Sequence, residues 1–132
     1  MKHDFPAAVP EIPVSDLNKA LDYYEAKLGF NIDWGGPDGG IAGISKGDCR
    51  MFLTDPDFRK QHSNASPVMN WLNLESKEEV DELYDIWNAG GASIISPPAS
   101  KPWKLHEFTA SDPDGNLFRV FYDFSSDETA SS

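Results

Sequence analysis

The sequence predicts an α+β fold made of two tandem βαβββ modules, forming a curved mixed sheet around a cleft. Three observations predict it. An offset of 63 residues superimposes two amphipathic helices, so that Leu17, Ala20, Leu21 and Tyr24 fall on Val80, Leu83, Tyr84 and Trp87. A candidate strand precedes each helix. Glycine ends each helix, and three further candidate strands follow. A repeat of this length marks a duplicated unit whose apolar faces are buried only together. The 132 residues make one domain, with module 1 at about 8–54, module 2 at about 67–124 and a polar, frayed tail at 125–132.

Each element has its own signal. Val9 to Val14 reads as a short strand, and Pro10 and Pro13 confine it to an edge or to exchange between subunits, because proline cannot donate to a ladder. Ser15 is placed to cap the first helix, with Asp16 at the positive end of its dipole. The apolar stripe Leu17, Ala20, Leu21, Tyr24 and Leu28 follows helical spacing to the stop at Gly29. Phe30 to Trp34 alternates as a strand, and Gly35 to Gly40 form a turn. Ile41 to Ser45 and Cys49 to Thr54 make a hairpin around Lys46, Gly47 and Asp48. The polar connection Asp55 to Pro67 is expected to be mobile.

The second module opens with the strand Val68 to Leu74. Ser76 and Glu79 stand in capping-box spacing at the head of the helix Ser76 to Asn88, which Gly90 and Gly91 end. Ala92 to Ile95 is a strand, Ser96 to Pro102 a proline-rich loop, and Leu105 to Ser111 with Leu117 to Phe124 the last hairpin. Its turn, Asp112-Pro113-Asp114-Gly115-Asn116, is dense in turn formers.

Charge and composition exclude several functions. Eleven Lys and Arg against 22 Asp and Glu leave a net charge of -11. Residues 1–66 carry -3 of this and residues 67–132 carry -8. Nucleic-acid binding needs a basic footprint, and an anionic membrane surface would repel this chain. No stretch has the ~20 apolar residues of a membrane span. The lone Cys49 makes no internal disulfide and, with an N-terminus unlike a signal peptide, points to a reducing, cytoplasmic setting. No Ser-His-Asp set or glycine-rich phosphate loop is present. His3 and His62 read as solvated, and the neighbours His106 and Glu107 point to opposite faces of a strand.

The motifs Ile-Pro-Val-Ser-Asp-Leu (12–17), Ala-Leu-Asp-Tyr-Tyr (20–24), Leu-Gly-Phe (28–30) and Asp-Pro-Asp-Gly-Asn-Leu (112–117) resemble the vicinal oxygen chelate superfamily. That superfamily includes glyoxalase I, extradiol dioxygenases, fosfomycin-resistance transferases and bleomycin resistance proteins. Its metalloenzymes carry His or Glu on the first strand and late in each module. The matching positions here are Val9, Met69 and Arg119, which cannot assemble a hard divalent site; Glu11 lies two residues from the expected place.

Ala-Val-Pro (8–10), Leu-Gly-Phe-Asn-Ile-Asp-Trp (28–34), Met-Phe-Leu-Thr (51–54), Asp-Glu-Leu-Tyr (81–84) and Lys-Pro-Trp…Glu-Phe (101–108) are most similar to the bleomycin resistance branch. The resemblance implies a homodimer with exchanged first strands that sequesters a flat, cationic antibiotic without modifying it. It implies ligand contacts at Asp33, Trp34, Ile41, Thr54, Trp71 and Trp103, no catalytic residue, and no cofactor beyond a metal chelated by the ligand itself. Ile41 replaces an aromatic that the family can carry, and Lys104 replaces a frequent glycine. Trp87, on the helix stripe, belongs to the core. The competing readings are a metal-dependent small-molecule enzyme of the same superfamily and a diverged member with another small ligand.

Overall fold

The computed structural model describes residues 6–61 and 66–127. In the first module, β1 (Glu11–Pro13), α1 (Leu17–Ala26), β2 (Asn31–Gly36), β3 (Ile41–Lys46) and β4 (Cys49–Thr54) form a sheet of order β1-β4-β3-β2. In the second, β5 (Met69–Asn73), α2 (Lys77–Ala89), β6 (Ser93–Ser100), β7 (Leu105–Ser111) and β8 (Leu117–Asp123) repeat it as β5-β8-β7-β6. The two sheets are separate four-stranded sheets, each with one parallel pair and two antiparallel pairs. The proline-flanked β1 lies at an edge, as its missing N–H groups require, and runs parallel to β4 of its own chain.

Local chemistry shifts several boundaries. Asp16, not Ser15, caps α1: its carboxylate accepts the Lys19 N–H at 3.0 Å, while the Ser15 N–H donates to Asp114. At α2, Ser76 accepts from Glu79 N–H as expected, but the Glu79 carboxylate reaches back to the N–H of Glu75 rather than to that of Ser76. The proline-rich loop is largely strand. β6 runs on to Ser100 because it is an edge strand, and register shifts between Ile94 and Ala99 absorb Pro97 and Pro98. Residues 125–127 form a helical turn, with the Tyr122 hydroxyl on Asp127, where a frayed tail was expected. The expected mobile connection holds a short 3-10 turn, Phe58–Gln61; its residues 62–65, His62 among them, lie outside the described residues, as do His3 and residues 128–132.

Both helices lie between the sheets. Leu17, Ala20, Leu21 and Tyr24 of α1 and Val80 and Trp87 of α2 are buried. They pack on Ile12, Ala42, Ile44, Met51 and Leu53 of sheet 1 and on Phe108, Ala110, Phe118 and Val120 of sheet 2. Aromatic edges join the modules: Tyr24 meets Phe118 at 5.9 Å between ring centroids. Trp87 meets Phe108 and Phe118 and donates its indole N–H to the Leu28 carbonyl at 3.1 Å. Trp87 and the α1 stripe take the core roles expected of them, while Leu83 and Tyr84 of α2 are half-buried against the same core.

Polar contacts lock the same seam. Asn116 is fully buried; its amide oxygen accepts from Val68 N–H, and its amide nitrogen donates to the Pro13 carbonyl and to Asp112. The Asp112 carboxylate also accepts from the N–H groups of Asp114 and Asn116 and from the Tyr24 hydroxyl at 2.8 Å. The turn seen in the sequence is thus a fastener between modules.

Truncating Asn116 to Ala orphans buried partners in both modules, and each orphan costs ~1–3 kcal/mol. Asn116→Ala is therefore expected to lower unfolding free energy by about 3 kcal/mol, read from the urea midpoint; a loss below ~1 kcal/mol would contradict the fastener role. Burial, and then the neighbouring Asp112 charge, raise the Tyr24 phenol well above its ordinary pKa. Its contribution is complete below pH ~10 and is lost as pH climbs past that value, because the unfolded chain gives up the proton first. Tyr24→Phe should be about 1 kcal/mol less stable at pH 7 but show a flatter alkaline decline in urea titrations.

Candidate functional site

Each sheet buries one face in the common core and leaves the other outside it. Strand alternation decides which residues stand there. On sheet 1 they are Glu11, Trp34, Ile41, Gly43, Phe52 and Thr54. Ile41 pairs with Thr54, and Trp34 with Gly43. A bulge between Ile32 and Trp34 sets Asp33 out of register, exposed at the sheet edge. The Trp34 indole lies over Gly43, where a Cβ would stand only 2.3 Å from Nε1. Its edge meets Phe52 at 5.2 Å, and 44% of the residue remains exposed.

Thr54 is completely buried, and its hydroxyl is engaged. It donates to the Glu11 carboxylate at 3.1 Å and accepts from the Arg59 guanidinium at 3.3 Å. Arg59 also donates to the Val14 and Thr54 carbonyls, tying the chain after β4 to the end of β1. Thr54 therefore holds Glu11 in place, rather than standing free as a contact surface.

On sheet 2 the open face carries Met69, Trp71, Glu107, Thr109, Arg119 and Phe121. Trp71 pairs with Arg119, whose guanidinium carbon lies 5.0 Å from the indole centroid, and Phe121 meets the same ring edge-on at 5.6 Å. Trp103 sits in the turn between β6 and β7 and is 58% exposed. Its N–H donates to Glu107 Oε2 at 3.2 Å, and the Lys101 ammonium stands 6.0 Å from the ring centroid. The turn is closed by Lys101 N–H to the Leu105 carbonyl and Lys104 N–H to the Lys101 carbonyl. Lys104 takes a φ of +71°, the left-handed conformation that glycine adopts without strain. A cavity of about 140 Å³ opens here between Ser96, Lys101, Trp103, Glu107, Thr109 and Arg119. A larger apolar one, about 520 Å³, wraps the free edge of β5 from Trp71 to Cys49 and Trp87. Burial pushes the Cys49 thiol pKa up, so little of it is thiolate at neutral pH.

The six candidate contacts thus fall on two faces, Asp33, Trp34, Ile41 and Thr54 on sheet 1 and Trp71 and Trp103 on sheet 2. Glu107 and Arg119 complete the second group. Alternation from the buried Phe108 and Ala110 places Glu107 with Thr109 on the open face. His106 points the other way, to Asp81 on α2 at 2.8 Å and to Ser100 at 2.9 Å. The acidic residues Glu78, Glu79, Asp81, Glu82 and Asp85 form the exposed face of α2. Among the described residues no three His, Cys, Asp or Glu side chains converge as metal ligands. The open faces of the strands paired in parallel carry Glu11, Phe52 and Thr54 on sheet 1 and Met69, Trp71, Arg119 and Phe121 on sheet 2. One carboxylate and one hydroxyl among aromatic rings, a thioether and a guanidinium do not fit a divalent cation.

Two βαβββ modules sharing one core, each presenting an aromatic open face, define the class of protein. The chain belongs to the Glyoxalase/Bleomycin resistance protein/Dioxygenase superfamily, whose family model matches residues 7–120. It is 30% identical over 131 residues to a bleomycin resistance protein of Geobacillus stearothermophilus, covering 86% of this chain and 94% of that protein. A crystal structure of a glyoxalase/bleomycin resistance protein/dioxygenase from Nocardioides is similar with a TM-score of 0.75 and 24% identity, over 92% of this chain and 85% of that one. Lactoylglutathione lyase from Agrobacterium tumefaciens has a TM-score of 0.76 at 19% identity, over 90% and 95% of the two chains. These two structures share the fold.

The contact between Trp34 and Gly43 yields a direct test. Gly43→Ala must displace the indole, because the new methyl would overlap it. Trp34 is half exposed and can swing outward, so stability should change by less than ~1 kcal/mol. The Trp34 fluorescence, isolated by comparison with Trp34→Phe, should shift toward that of a solvated indole.

Proposed function

We propose that this protein sequesters a flat ligand of the bleomycin type, carrying a cationic region, and does not modify it. The observation that carries this reading is the set of half-exposed tryptophans at 44%, 47% and 58%, Trp34 and Trp71 on open sheet faces and Trp103 in the adjoining turn, each pinned by its own neighbours. Pinned indoles lose little freedom on binding and offer stacking worth about 0.5–2 kcal/mol each. The net charge of -11 concentrates cations near the surface. Asp33, exposed beside Trp34, supplies a negative contact for a ligand cation. The identity to the Geobacillus protein supports the same reading.

The two faces lie on different sheets around one core. A homodimer that sets the sheet-1 face of one chain against the sheet-2 face of its partner would close a ligand between three indoles. The edge position of β1 suits strand exchange in such a dimer. Sequestration then protects the ligand's target by mass action alone.

The experiment is a tryptophan-fluorescence titration with metal-free and copper-loaded bleomycin. A saturable change at micromolar ligand or below is expected, at one ligand per chain, with Trp103→Ala weakening binding about tenfold. Prior dialysis against EDTA should leave the affinity for metal-free bleomycin unchanged. No response up to ~100 µM rules out bleomycin as the ligand, and loss of binding after EDTA rules out a metal-free site.

A further inference from the structure

Glu107 and Arg119 line the small cavity of sheet 2 and form a long ion pair there. Glu107 is 4% exposed, and the hydrogen bond on its carboxylate comes from Trp103 to Oε2. Oε1 faces Arg119 Nη1 across 4.0 Å, beyond hydrogen-bond length. Arg119 Nε is buried and has no hydrogen-bond partner among the described residues. A buried donor without a partner is costly unless a further group completes it, and the 4.0 Å between Oε1 and Nη1 leaves room for one that meets both side chains.

The surroundings restrict that group. An anion would meet the Glu107 carboxylate. A cation would meet Arg119 and Lys101, which already stand over Trp71 and Trp103. A neutral edge with an acceptor beside a donor satisfies both sides. In a primary carboxamide these atoms are roughly 2.2 Å apart, so hydrogen bonds of ~2.9 Å reach partners spread across the gap. A cavity of about 140 Å³ holds the amide and part of an attached ring, with Trp103 as a wall.

We infer that Arg119 and Glu107 form a recognition fork for a neutral carboxamide carried on a flat ring, its carbonyl accepting from Arg119 and its amino group donating to Glu107. The inference rests on the reading that the sheet-2 open face holds ligand, and it names the chemistry which that half of the site selects.

The test uses three fragments of one shape: benzamide, benzoate and benzamidine. Each is titrated into ¹⁵N-labelled protein while the Trp103 indole N–H resonance, assigned by Trp103→Phe, is followed. Benzamide is expected to saturate at about 1 mM, as its size allows, and to bind about tenfold more tightly than either charged analogue. Glu107→Gln, whose amide oxygen still accepts from Trp103, and Arg119→Met should each weaken benzamide about tenfold; thermal unfolding checks that both variants fold. Tightest binding by benzoate would make this an anion site, and tightest binding by benzamidine a cation site. Silence from all three would leave only an ion pair bridged by water. Each of these overturns the fork. Bleomycin is absent from this experiment, so the fork and the sequestration reading fail separately.

Discussion

The architecture depends on one buried polar cluster, Asp112 and Asn116 with the partners that tie them to module 1 and to the entry of their own module. A short turn with two buried polar side chains is a liability unless every donor and acceptor is met. Here the partners are the Tyr24 hydroxyl, the Pro13 carbonyl and the Val68 N–H. They come from a helix of module 1, an edge strand of module 1 and the entry to module 2. An apolar turn would let the modules slide over one another on aromatic surfaces that tolerate many packings. The polar one fixes their register, because any slip leaves buried groups unpaired. Tyr24 adds both kinds of constraint, with its ring on Phe30 and Phe118 and its hydroxyl on Asp112.

That register decides which faces are spent on folding. With both helices between the sheets, one face of each sheet is used by the core. The tryptophans of the other faces are then held by small, specific means. Trp34 lies on a glycine, Trp71 under a guanidinium, and Trp103 on a buried carboxylate. None of these contacts buries the ring fully. They orient each indole and leave part of it exposed.

Much of this was legible in the sequence. The repeat was visible because both helices must turn equivalent stripes to one core, and Trp87 could be assigned to that core by spacing alone. The prolines of β1 announced an edge. The prolines of β6 misled, because a run that reads as a loop can be an edge strand when bulges absorb the missing N–H groups. The candidate tryptophans came from motif resemblance, since periodicity cannot separate an exposed indole from a buried one. Glu107 and Arg119 were each visible in motifs, but their proximity was hidden for a different reason. Their significance lies in a gap between side chains on adjacent strands, and that gap depends on register, which the sequence does not display.

The placement of cations divides the site by chemistry. Lys101 and Arg119 stand over the two indoles of sheet 2, so those rings are already met by positive charge from their own chain. A ligand cation arriving there would be repelled at short range, whatever the net charge does at long range. Long-range attraction decays within about 8–10 Å at physiological salt, whereas contact at an indole face is set by the nearest group. Asp33, next to Trp34 in the chain, is exposed at the sheet edge, and among the described residues no cation stands over the Trp34 ring. Under the proposed sequestration, the same acidic protein would offer its sheet-1 face to a cationic moiety and its sheet-2 face to a neutral planar one. A ligand with both kinds of group along its length would then bind in only one direction, and the two sheets would have distinct roles although their topology is the same.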